Sequence, residues 1–312
     1  MEAAERGAGE RVICPFMVRG ADAMRKQINF FFSVLIYILT AFSVLALGFV
    51  IYFIVKEALP LFSEVSVSDF LFGTRWMPIA YTGSTSFGIF NFIAATVCVS
   101  FTAMVLATGV GLGASVFLSC VATERMRSFL YPFVDLLAGI PSVIYGFIGL
   151  QVLVKLFLKA GVHTGSCVLA AGILLAVMLL PFLVASCSET ILKEREKYEA
   201  EAGALGIDKW YAAATIILPA SWKNILLSMI LAIGRAMGET MAVMMVMGNS
   251  NLFPKLLGKS ETIASVIALE MGTAVYGSTH YHALYAAGLV LMVLLFLINV
   301  TINLIRSRMI RE

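Results

Sequence analysis

Gly234-Arg235-Ala236-Met237-Gly238-Glu239-Thr240-Met241-Ala242-Val243 stands inside an apolar run over residues 222–248. At about 1.5 Å per residue, a helix of that length crosses a hydrocarbon layer of ~30 Å with Arg235 near its middle. A charge at that depth is expensive, about +2.5 to +3.5 kcal/mol on insertion scales, so such a residue normally faces a bundle interior or a watery cavity and marks a pathway. Arg235 and Glu239 are four apart, on one helical face, where each can neutralise the other. Gly234 and Gly238 repeat that spacing beside them and let a neighbouring helix come close. Two readings of the pair stand at this point. One is a buried structural ion pair at a helix interface. The other is an anion-contacting arginine in a translocation path, with Glu239 holding it in place or sensing the anion and Thr240 beside them.

Composition sets the class. The chain is 60% hydrophobic and only 13% charged, with a mean hydropathy of +0.94, so it reads as a multi-spanning membrane protein. The five cysteines form no CxxC or other metal-ligand spacing, and Cys98, Cys120, Cys167 and Cys187 read as small packing residues. His163, His280 and His282 show no H-E-x-x-H spacing and read as surface residues. No catalytic Ser/His/Asp set, paired-aspartate site or G-x-x-x-x-G-K-[ST] phosphate loop is present. The expectation is a non-enzyme without cofactor, metal or nucleic-acid partner, in contact with membrane lipid.

Taken in order, a cytoplasmic N-terminal segment at 1–28 leads into a six-span domain at 29–308, and 309–312 form a cytoplasmic tail. The spans are expected at 30–55, 89–119, 129–156, 166–187, 222–248 and 283–305. The third is interrupted by Pro132 and by Gly139-Ile140-Pro141-Ser142, which makes it a candidate pore-lining helix. Asp135 near its start reads as an interfacial cap or the partner of a basic side chain rather than a transport residue. With both chain ends inside, the inside segments and their edges hold 15 Lys/Arg, the outside ones 6 and the membrane Arg235, accounting for all 22. The positive-inside rule therefore supports N-in, C-in. The fold class expected is an all-α integral membrane protein of six transmembrane helices.

The largest inside segment, residues 188–221, has its own physical logic. Residues 193–205 suit a helix, Gly206 suits a left-handed stop, and Asp208 suits the cap of a second short helix ended before Pro219. Such an elbow is compact enough to sit in a groove on another protein.

Three blocks carry a resemblance. Residues 234–243 resemble the signature of the PstC family, the permeases of phosphate-specific ABC transporters, and Ala138-Gly139-Ile140-Pro141-Ser142-Val143-Ile144-Tyr145-Gly146 resembles a second block of that family. Glu199-Ala200-Glu201-Ala202-Gly203-Ala204-Leu205-Gly206, followed by Ile216-Ile217-Leu218-Pro219, resembles the ABC-permease coupling motif, Glu-Ala-Ala-x-x-x-Gly with an Ile-x-Leu-Pro end. Counting back six from Gly206 reaches Ala200, and Glu199 and Glu201 on either side both remain candidates for the motif's glutamate. The resemblance covers nearly the whole chain from about Phe30. It implies a type I ABC importer permease fold in the bacterial inner membrane. It also implies a pore shared with the sister permease PstA, a PstB ATPase dimer seated on the 188–221 segment, and a periplasmic phosphate-binding protein, PstS, on the outer side.

Chemistry alone leaves other classes open. A central arginine suits molybdate or sulfate as well as phosphate, and an ion-coupled secondary anion transporter could use Arg235 for the anion and Glu239 for a proton. Against the latter, the chain lacks two corresponding halves with paired broken helices.

Overall fold

The computed structural model describes residues 15–79 and 85–309. Among these, helices dominate. α1 covers Pro15–Ala58 and passes into a 3-10 turn, Leu59–Ser63. α2, Val67–Phe72, starts where the Ser66 hydroxyl accepts the Asp69 N–H. β1 (Trp76–Met77) and β2 (Ser86–Phe87) form an antiparallel ribbon with Trp76 opposite Phe87. α3, Phe90–Val116, ends in a π-turn at Phe117–Val121, and α4 follows at Glu124–Ala138. α5 (Ser142–Ile148), a π stretch (Gly149–Val154) and α6 (Lys155–Lys159) run on from one another. α7 is Val168–Ala204, and α8, Lys209–Ala212, leads through a π-turn at Ala213–Ile217 into α9, Leu218–Gly238. α10 (Met241–Met247), α11 (Ile263–Glu270) and α12 (Thr279–Met309) complete the order.

Among the described residues, six helical segments are long and apolar enough to cross a membrane: Asn29–Ser63, Phe90–Val121, Ser142–Lys159, Val168–Ala204, Lys209–Gly238 and Thr279–Thr301. The protein is thus a multi-pass membrane protein. It divides into two compact units, Met1–Ile54 and Val55–Glu312. In the first, the side chains of residues 29–52 are exposed on every side of α1, and most are apolar, as a helix solvated by lipid requires.

The second unit is built on α3 and α7. Ala95, Val99, Ala103 and Ala107 recur every fourth residue of α3 and are buried with Ala171, Leu175, Leu179 and Leu183 of α7. Gly172 receives Thr102, and Gly111 receives Leu183. Small residues let the backbones approach, which drives association where lipid removes the hydrophobic contrast between helices. Hydroxyls add polar ties: Ser115 donates to the Val184 carbonyl at 3.3 Å and Ser119 to the Ser188 carbonyl at 3.2 Å. α9 adds Ala232 and Ala236 to this core, and α10 adds Val243 and Met247.

A second core closes one end of the bundle. Phe70, Trp76, Phe87, Ile89, Phe92, Ile263 and Leu284 are buried there. His280 and His282 belong to it, with side chains only 13% and 16% exposed, which corrects the expectation of surface residues. Their partners explain the burial. His280 Nε2 and Trp76 Nε1 meet the same Glu270 oxygen at 2.7 and 2.9 Å, and His282 Nδ1 meets the Glu57 carbonyl at 2.7 Å.

Three expected elements differ. The third span is divided at Gly139–Pro141, and its long apolar helix begins at Ser142 rather than 129. Pro141 has no N–H, so the Leu137 carbonyl one turn back loses its helical partner; the Tyr145 hydroxyl donates to that carbonyl at 2.9 Å. The fifth span is not one run over 222–248, because α9 stops at Gly238 and α10 starts at Met241. The helix of the fourth span does not stop at 187, because α7 continues unbroken to Ala204 and takes in the helix expected over 193–205.

Candidate functional site

The break between α9 and α10 is made by the motif residues themselves. Glu239 departs from helical geometry at φ −71°, ψ 124°, and its Oε1 accepts the Ala242 N–H at 3.3 Å. A carboxylate at that position satisfies one of the unpaired N–H groups that open a helix, and so favours starting α10 afresh. Thr240 Oγ1 donates to the Gly238 carbonyl at 3.2 Å, which the break frees. The expected pairing of Arg235 with Glu239 is therefore not made. Spacing of four brings two side chains together only while the helix continues, and Glu239 ends it. Among the described residues, the ion pairs lie elsewhere and none includes Arg235 or Glu239. Arg235 is exposed on α9. A Cβ placed on Gly234 or Gly238 would meet nothing within 4 Å, so the close helix neighbour expected there does not come from the described residues of this chain.

The two broken segments meet. A Cβ on Gly146 would lie 3.1 Å from Ala242 Cα and 2.7 Å from Met245 Sδ, and one on Gly149 would lie 2.9 Å from Val246. Gly146 opposite Ala242 and Gly149 opposite Val246 make α5 and α10 parallel neighbours. Tyr145, Ala242 and Val246 are buried in their shared cluster with Leu174 and Met178 of α7. The blocks 138–146 and 234–243, nearly a hundred residues apart in sequence, thus form one structural site. It combines an unpaired guanidinium, a carboxylate used as a helix cap, and two glycine-assisted contacts, of which Gly146 meets α10 and Gly149 meets both α10 and Leu174 of α7.

After Ala204, α7 turns into α8. Gly206 has φ +71°, and the Ile207 N–H reaches the Ala202 carbonyl at 3.0 Å, the bond that closes a helix at a left-handed residue. Asp208 caps α8 by accepting the Trp210 N–H at 3.0 Å. Pro219 does not end a second helix as expected. It lies in the first turn of α9, where a missing N–H costs little, and the π-turn before it carries the chain on. Glu199 takes Arg195 Nε and Nη2 at 2.9 Å each, with Lys209 Nζ at 3.9 Å, whereas Glu201 is exposed. Leu205, Trp210 and Tyr211 project at the tip, 78%, 60% and 62% exposed.

A family model described as "Binding-protein-dependent transport system inner membrane component" matches residues 109–311. The chain belongs to that family. Within it, the chain is similar to the "Phosphate transport system permease protein PstC" of Xylella fastidiosa (strain Temecula1), at 33% identity over 94% of this chain and 95% of that one. It is 32% identical to the "Probable ABC transporter permease protein YqgH" of Bacillus subtilis, over 80% of each chain. The "Probable phosphate transport system permease protein PstC" of Methanocaldococcus jannaschii is 31% identical, over 85% of this chain and 88% of that one. Among solved structures, a chain of the inward-facing MetNI methionine ABC transporter superposes with a TM-score of 0.54 at 17% identity. That likeness covers 69% of this chain and 92% of the other, and it shows the shared permease fold. The chain is a transmembrane permease component of a binding-protein-dependent transport system.

Two features of this permease were passed over in the sequence. Arg195 stands four residues before Glu199, an i,i+4 charge pair that a search for such spacing finds. Glu261, just before α11, is 7% exposed, and burial, followed by the charge of Glu270, pushes its carboxyl up to about 7.

Proposed function

We propose that this permease is the membrane subunit of an ATP-driven phosphate importer, forming half of the translocation pore, with Arg235 as its anion contact. The observation that carries the reading is the exposed, unpaired Arg235 one turn before the α9–α10 break. Phosphate arrives with one to two negative charges, and a planar guanidinium can hold two of its oxygens at once. Glu239 is occupied as the cap of α10 and tempers the positive field without neutralising it, so the anion is attracted and not trapped. The phosphate permeases among the relatives support the choice of cargo.

The remaining parts fit the same reading. The open Gly234/Gly238 face takes the sister permease PstA, which supplies the other half of the pore. The elbow formed by Glu199, Glu201, Gly206, Asp208 and Pro219, with its exposed Leu205, Trp210 and Tyr211, seats a PstB ATPase dimer, and ATP is hydrolysed there rather than on this chain. The opposite end meets a periplasmic phosphate-binding protein, PstS, and the whole lies in the bacterial inner membrane. Arg235→Gln should abolish uptake in cells lacking every other phosphate importer while the complex still assembles. Normal phosphate uptake by that variant overturns the role of Arg235, and uptake of molybdate or sulfate in place of phosphate by the native complex overturns the cargo.

A further inference from the structure

The end of α3 is held by a residue of α7. Within the π-turn Phe117–Val121, hydrogen bonds skip to the fifth residue, so the carbonyls are not all used as in an α-helix. The Ser119 carbonyl accepts Arg195 Nη1 at 2.6 Å, and the Ser119 hydroxyl donates to the Ser188 carbonyl at 3.2 Å. The other edge of the same guanidinium grips Glu199 through Nε and Nη2. One planar, permanently charged group therefore joins the last turns of α7 to the last turn of α3, and its fork geometry leaves little play.

The packing around that bond is open. A cavity of about 140 Å³ lies beside the guanidinium, lined by Cys120, Glu199, Lys209, Ala213 and Ile217 among others. It borders the second π-turn, Ala213–Ile217, through which α8 joins α9. The elbow thus has a short, charged bond to the end of α3, next to open space that the end of α3, the elbow and the turn into α9 line together.

We propose that Arg195 is a positioning residue that makes the end of α3 move with the elbow, so that displacement of the elbow reaches the α3–α7 pair. The proposal rests on reading the elbow as the seat of the ATPase. It assigns Arg195 no contact with phosphate or nucleotide.

The test is the phosphate moved per ATP hydrolysed by the complete complex in proteoliposomes. In Arg195→Gln the complex continues to hydrolyse ATP, but the phosphate moved per ATP falls by about fivefold or more, the lower range of a typical coupling energy. The exchange Arg195→Lys keeps a cation four residues before Glu199 but lacks the fork that reaches the Ser119 carbonyl at the same time, so it stays uncoupled. A pair that merely stabilises α7 is rescued by that exchange, and rescue overturns the proposal, as does an unchanged ratio in Arg195→Gln. Should Arg195→Gln fail to assemble, Ser119→Cys with Arg195→Cys joined by a short bismaleimide decides: restored coupling supports the tie, and a joined but uncoupled chain overturns it. Cross-linking of the ATPase to a cysteine replacing Leu205 reports the seat separately. Absence of that contact in an otherwise native complex strikes the reading of the elbow, whereas its presence with an unchanged ratio in Arg195→Gln strikes this proposal alone.

Discussion

Gly146 of α5 and Ala242 of α10 approach so closely that a Cβ on the glycine would stand 3.1 Å from the alanine Cα. The neighbour on that side is backbone, which cannot swing away as Met245 can. Gly146→Val should therefore push the two breaks apart, at a cost of about 1–3 kcal/mol for overpacking. The expected outcome is a chain that inserts in the membrane, unfolds at lower temperature in detergent and transports poorly. Unchanged melting and uptake would show that α5 and α10 do not share this contact during transport.

Glu239 should behave as a cap and not as half of a buried ion pair. Breaking a buried pair costs about 3–5 kcal/mol, whereas losing a cap costs about 0.5–2 kcal/mol. Glu239→Ala is expected in the lower range, and Glu239→Gln, which keeps an acceptor oxygen for the Ala242 N–H, closer to the native chain. Thermal unfolding of the three proteins checks the order. A loss of several kcal/mol in Glu239→Gln would restore the ion-pair reading.

At Gly206 the strain is purely of the backbone, since φ is +71° and no atom lies within 4 Å of a built Cβ. Gly206→Asn should be tolerated, because asparagine enters the left-handed region readily, while Gly206→Val should deform the elbow. Co-purification of the ATPase is the measurement: retained with Asn, reduced with Val. Equal recovery with both would remove Gly206 from the docking geometry.

The sidedness of the chain can be read with an impermeant thiol reagent. Tyr276→Cys, at a position 78% exposed between α11 and α12, should be labelled in intact spheroplasts, and Leu205→Cys, equally exposed on the elbow, only after the membrane is opened. Ser84, a natural choice for the first loop, lies outside the described residues. The reverse pattern would invert the topology.

Glu261 introduces a pH dependence with a definite sign. Its carboxyl is raised from an ordinary 4.5 to about 7 by burial and then by Glu270, so the folded chain holds this proton more tightly than the unfolded one. The resulting stabilisation is complete below about pH 4.5 and is lost as pH rises towards about 7. Hydrogen exchange across 261–270 should accelerate over that interval, and Glu261→Gln should flatten the response. A response unchanged by the substitution would assign it to another group.

Much of the architecture was legible because lipid demands it. Long apolar runs, a proline at 141 and a glycine at 206 each have few structural outcomes. The role of Glu239 was less legible, since an i,i+4 partner and a helix cap call for the same carboxylate, and the choice depends on whether the backbone continues past it. π-turns such as Phe117–Val121 leave no compositional mark, because they arise from how a helix end meets its neighbours. His282 looked like a surface residue because the Glu57 carbonyl that receives it is 225 positions away.

α7 runs for 37 residues without interruption, about 55 Å at 1.5 Å per residue, against a hydrocarbon layer of ~30 Å. The surplus is a mast. A stretch of about 25 Å is left over once the hydrocarbon layer is crossed, length enough for Leu205, Trp210 and Tyr211 to be carried clear of it at the exposed tip.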